Sequence, residues 1–155
     1  MSIPKSKRPV SSEEHYEVAL TLRAKITEML IEDFGDDKAY IRTDDGRIIK
    51  NKDYWLYQQI RERIFNYAAD LIMNITTANA IYITSAVEYN IRRKYITSAI
   101  TNCEQAKQEL NYAAKVLPIP RRKYLQYNDM LKGEKEHLKN WRKADNKVLK
   151  RLTEA

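Results

Sequence analysis

Apolar residues recur every three or four positions through most of this 155-residue chain, with polar residues on the intervening positions. That period belongs to amphipathic helices. Leu22, Ile26, Met29 and Leu30 follow Ser11-Ser12-Glu13-Glu14, a capping-box sequence, and predict a first helix from about Ser12 to Phe34 with Gly35 as its stop. The pattern then changes. Tyr40 to Thr43 and Arg47 to Ile49 alternate around Asp45-Gly46, which predicts a small hairpin. From Asp53, a second helix carries Tyr57, Ile60, Ile64, Tyr67, Leu71 and Ala78 to near Asn79, with a polar break at Asn74. A third runs from about Ser85 to Leu117, opened by a capping box (Ser85 to Glu88). Its stripe is Ile96, Ala99, Cys103, Ala106, Leu110, Ala113 and Leu117. Pro118-Ile119-Pro120 ends it, and Pro120 suits the first position of a fourth helix that carries Tyr127, Leu131, Leu138, Trp141, Val148 and Leu152.

Four helices joined by short connections pack most simply as an antiparallel four-helix bundle. The expected fold is therefore all-α, with a short hairpin-like insertion between the first two helices. Residues 12–155 form one domain, preceded by a flexible basic tail at 1–11. Three glycines and four prolines leave little turn chemistry for a larger sheet. The one cysteine, Cys103, cannot form an internal disulfide, and it falls inside the apolar stripe, as a small core residue would. The least polar stretch, 68–87, is broken by Asp70, Asn74, Thr76, Thr77 and Asn79, so no membrane span is expected. The first ten residues have no apolar signal core, and the expected location is cytoplasmic.

Charge adds a direction. The formal net charge is +7 and it is unevenly placed. Residues 11–50 carry ten acids and six bases, whereas 120–155 carry eleven bases and five acids. A surplus of this kind points to polyanionic partners. Wound at about 100° per residue, the fourth helix sets Lys132, Lys135, Lys139, Lys143, Lys147 and Lys150 opposite its apolar side, a stripe about 27 Å long. Asp129 and Glu136 interrupt it. Arg121, Arg122 and Lys123 fall at the helix start, where the dipole disfavours cations, so helix stability does not ask for them. Exposed N–H groups and three cations there would suit an anion.

The quartet Arg-Arg-Lys-Tyr occurs twice, at 92–95 and 121–124. The flanking sequences share almost nothing, so duplication is not indicated. The copies begin successive antiparallel helices and fall at opposite ends. Arg93 and Lys94 approach Lys147, Lys150 and Arg151, while Arg92 faces inward. Glu134 and Asp145 lie near the centre of the apolar side of the fourth helix; either cations such as Arg92 meet them across the bundle, or that side is partly a subunit or partner surface. His15 and His137 are expected at the surface or an edge.

Catalytic signatures are missing: no Gly-rich phosphate loop, nucleophile elbow or zinc spacing is present. The acid pairs Glu13/Glu14, Asp36/Asp37 and Asp44/Asp45 suit helix starts and turns. Neither catalytic residue nor metal nor cofactor is expected.

The segments "IRERIFNYAADLIMNI", "RRKYITSAITNCEQAKQELNYAAKVLPIPRRKYLQYNDML" and "HLKNWRK" resemble the accessory variability determinants (Avd) of diversity-generating retroelements. That family is related to the four-helix-bundle proteins of 23S rRNA intervening sequences. Trp141 matches the tryptophan of the family's Gly-Trp pair, with Arg142 and Lys143 after it; Asn140 stands in the glycine's place, and the Asp36 to Lys50 segment is longer than the family pattern. The resemblance implies a non-enzymatic, bacterial or phage-encoded subunit. It would assemble as a basic homopentamer and bind a reverse transcriptase and its template RNA or DNA during mutagenic cDNA synthesis. Of the cations, it implies only Arg142 and Lys143 as contacts. A ribosome-associated or phage adaptor working through protein contacts is the alternative, and metal-dependent nucleic-acid cleavage through the aspartate pairs is a third reading.

Overall fold

The computed structural model describes residues 12–154; the predicted tail at 1–11 and the capping box built on Ser11 lie outside the described residues. The chain is all-α apart from one small hairpin. α1 spans Ser12–Phe34, α2 Tyr54–Asn79, α3 Ala86–Val116 and α4 Arg122–Glu154. Between α1 and α2 lie a 3-10 turn, Asp36–Ala39, and strands β1 (Tyr40–Arg42) and β2 (Ile48–Lys50).

Gly35 ends α1 by its size and not by a left-handed backbone. Its φ of −73° and ψ of 177° are open to any residue. A Cβ there, however, would sit 2.4 Å from the Ile31 carbonyl oxygen. The hairpin does need a left-handed residue, and Gly46 supplies it with φ 84°. Its strands pair Tyr40 with Lys50, Ile41 with Ile49 and Arg42 with Ile48. Every strand residue is exposed, so the hairpin adds nothing to the core. Asn51 anchors its base, donating from its backbone N–H to the Ala39 carbonyl and from its amide to the Lys38 carbonyl.

Contacts between side chains fix the neighbours and directions of the helices. Arg23 lies over the Phe65 ring and Phe34 meets Tyr57, so α1 and α2 run oppositely. Asn74 donates to Asn102 at 2.7 Å and Arg63 to Glu109 at 3.2 Å, which sets α2 against α3. The predicted polar break in α2 is thus answered across the interface. His15 stacks on Trp141 and Lys123 reaches Asp33, which sets α1 against α4.

The α3–α4 seam is the most regular. Arg93 meets Asn146 (3.0 Å), Arg142 meets Thr97 (3.2 Å), Lys135 meets Glu104 (2.6 Å) and Asn128 meets Asn111 (3.2 Å). These rungs step four, seven and seven residues forward on α3 and the same distances back on α4. A heptad step between rungs is what shallow, coiled-coil-like crossing of two helices produces.

Buried side chains from all four helices join in one apolar cluster. Ile64, Ile75, Ile96, Leu110 and Leu138 have no exposed surface, and each such side chain contributes about 1.5–3 kcal/mol. Ala99, Cys103, Ala106 and Ala113 are equally enclosed, and their small size lets α2 and α4 approach α3 closely.

Candidate nucleic-acid interface

α4 carries three kinds of side chain around its axis. Tyr124, Leu131, Glu134, Leu138, Trp141 and Asp145 are buried. Asn128, Lys135, Arg142 and Asn146 lie on the flank and form the rungs to α3. Lys132, Lys139, Lys143, Lys147 and Lys150 remain for the outer face.

Two placements correct the helical-wheel expectation. Lys135 does not belong to the outer stripe: it follows the buried Glu134 by one position, and its long stem carries the ammonium to Glu104. The hydrogen bond to Lys135 holds the Glu104 carboxyl below its ordinary range. Leu152 is exposed. Val148 is half-buried.

The helix start also differs from expectation. α4 begins at Arg122, so Pro120 precedes it. The Lys123 and Tyr124 N–H groups are already engaged by the Pro120 and Arg121 carbonyls, which removes two donors from the proposed anion cradle. Lys123 turns away to Asp33, which is buried, at 2.5 Å. Tyr124 is core, and Arg121 and Arg122 stay exposed.

The other Arg-Arg-Lys-Tyr copy divides in the same way. Arg92 points inward, with Nε 3.0 Å from Asp145 Oδ2, its guanidinium donating to the Ile81 carbonyl and lying 4.8 Å over the Trp141 ring. Arg93 donates to Asn146 and to the Tyr89 hydroxyl. Lys94 is exposed. By the register of the seam, Lys94 lies level with Asp145, between Lys143 and Lys147.

Nine of the predicted cations make no ion pair among the described residues: Arg93 and Arg142, which hydrogen-bond to neutral partners, and Arg121, Arg122, Lys132, Lys143, Lys147, Arg151 and Lys94. Lys139 and Lys150 have only exposed or half-exposed acids near 3.9 Å, Glu136 and Glu154, and such pairs are worth little. Lys94, Lys143, Lys147, Lys150 and Arg151 gather where α3 begins and α4 ends. Arg121 and Arg122 lie at the opposite end. Asp129 and Glu136 interrupt the middle.

The expectation for His15 is overturned. It is buried against Trp141, with ring centroids 4.4 Å apart, and burial lowers its pKa to about 4. His137 is exposed. Cys103 is fully buried, and burial first, then Glu134, pushes its thiol up to about 12. Among the described residues, no three His, Cys, Asp or Glu side chains come together to hold a metal ion. No described helix is long and apolar enough to cross a membrane. Asp36 accepts from Tyr54 and Arg61, and Asp45 from Thr43 and Arg47, so each aspartate pair gives one carboxylate to local structure.

What the sequence reading missed is the α3 half of the seam. Thr97, Glu104 and Asn111 each follow a buried stripe residue, Ile96, Cys103 and Leu110, at heptad spacing. That polar row decides which cations of α4 turn inward. No family model matches the chain, and neither a curated protein nor a solved structure was found to match it.

Proposed function

We propose that this chain is an antiparallel four-helix bundle that binds RNA or DNA without catalysing a reaction, through the basic end formed by the start of α3 and the end of α4. The observation that carries the reading is the gathering of Lys94, Lys143, Lys147 and Arg151, exposed and without ion pairs among the described residues. Cations that serve only local stability would be matched by acids, as Lys135 and Lys123 are. On the Avd resemblance, the nucleic acid is the template of a reverse transcriptase, the protein is a homopentameric, cytoplasmic accessory of that polymerase, and copying is the polymerase's chemistry.

Counterion release supplies the test. With four or five phosphates neutralised, log K should fall with log salt at a slope of about −4. Replacing Lys143, Lys147, Lys150 and Arg151 by Gln should flatten that slope by about three and weaken binding at low salt, measured by fluorescence anisotropy with a structured RNA. Light scattering on the same protein should give about five times 18.3 kDa. Unchanged binding by the quadruple variant, or no salt-dependent binding by the native chain, sinks the reading.

A further inference from the structure

The end of the molecule away from that basic cluster has a different chemistry. Trp55, in the first turn of α2, is 62% exposed, and Tyr112, near the end of α3, is 46% exposed. Large aromatic side chains left this open have given up the burial that otherwise makes them core residues. The two line one cleft of about 320 Å³ between α2 and α3, with Gln59 and Arg63 at its edge. Arg63 is held there by Glu109, which is itself mostly buried. On the other side of α3, one helical turn along from Tyr112, Lys115 and Arg121 line a second cleft with Asn111. Neither of these two cations has an ion pair among the described residues. Two open aromatic side chains, with two unpaired cations one helical turn further along α3 in the neighbouring cleft, suit an unpaired base held by stacking and its following phosphates held by charge. A duplex offers no free base face to such a cleft, whereas the lysines of α4 meet only phosphates.

We infer that the Trp55–Tyr112 cleft seats an unpaired nucleobase of a single strand, with Lys115 and Arg121 on the adjoining phosphates. This rests on the nucleic-acid reading above and adds a strand preference that the basic end alone does not provide. A strand reaching from Arg121 to Lys147 would follow α4 for about 39 Å, so one structured RNA with an unpaired segment could engage both ends.

The chain has two tryptophans, and Trp141 is buried beneath His15 and Arg92, so quenching of the exposed indole reports on Trp55. Titration with a fifteen-residue oligouridine should quench the emission, and a duplex of equal length should not. Trp55→Leu and Tyr112→Leu should each weaken oligouridine binding roughly tenfold and leave duplex binding unchanged. Both positions are exposed, so both variants should melt as the native chain does, which thermal melts check. Oligouridine bound equally tightly by both variants, or without quenching, while duplex binding persists, overturns the cleft alone. If native protein binds neither nucleic acid, the broader reading falls with it.

Discussion

Asp145 and Glu134 stand eleven residues apart on one face of α4, about three turns, and both are almost fully buried, at 4% and 2% exposure. Their surroundings differ. Asp145 faces Arg92, whose guanidinium is at the same time fixed by the Ile81 carbonyl and the Trp141 ring. The contact is an ion pair by distance, 3.0 Å, without the alignment of a hydrogen bond. Glu134 has both oxygens buried with no hydrogen-bond partner, beside Cys103 and a groove lined by Val18, Leu22 and Met130 together with the polar Glu17, Thr21 and His137. Burial pushes the Glu134 carboxyl up to about 7. It raises that of Asp145 as well, with Arg92 pulling the other way. The same helix face therefore holds one acid that ties α4 to α3 and one, without a hydrogen-bond partner, whose proton burial retains up to about neutral pH.

Removing a partner should separate the two most strongly. Arg92→Met leaves Asp145 buried without its ion-pair partner and with only the Arg93 charge acting on it, an expected loss of about 3–5 kcal/mol by urea denaturation. Changing Asp145 to Leu in the same chain should recover most of that loss, because an apolar pair of similar volume needs no compensation. If the single substitution costs under about 1 kcal/mol, Asp145 does not depend on Arg92. Glu134→Met should act in the opposite sense. It keeps the length of the side chain, removes an unpartnered carboxyl, and is expected to stabilise by about 1–3 kcal/mol at pH 7.5. Destabilisation would mean that Glu134 has a partner after all.

Much of this contrast was legible in the sequence, and its limits have a physical cause. Periodicity placed Glu134 and Asp145 on the apolar side and Arg92 in the stripe of α3, because a helix at 3.6 residues per turn assigns faces almost rigidly. Periodicity could not choose between the two acids. That choice depends on the register of α3 against α4, which the seam from Arg93–Asn146 to Asn111–Asn128 fixes. Flank positions suffer the same limit. Lys135 and Arg142 lie near the border between inside and outside, where a long flexible stem goes to whichever partner the neighbouring helix offers. The Trp55–Tyr112 cleft joins residues 57 positions apart and leaves no mark in local spacing. The hairpin, by contrast, was legible because Gly46 needs only its own backbone.

The smallest expected effect concerns pH, and it arises from cancellation. Glu134 has its folded pKa raised from 4.5 to about 7, so between those values the unfolded chain has released a proton that the folded chain keeps. Its contribution to stability falls as pH rises through that window. His15 is lowered from 6.5 to about 4, so there the unfolded chain holds a proton that the folded chain does not, and its contribution rises with pH. Each amounts to about 3 kcal/mol over its window, with opposite signs. From pH 4.5 to 6.5 the two should nearly cancel, leaving at the acid end only shallow slopes of opposite sign, a fall from Asp145 and a rise from the depressed Glu88 and Glu104. Glu134→Met should expose the rising limb of His15, and His15→Phe, which keeps a ring against Trp141, the falling limb of Glu134. Chemical denaturation at half-unit pH steps measures all three profiles. Parallel profiles would show that neither group titrates across folding, and the proton on Glu134 would then not be what lets the fold bury it.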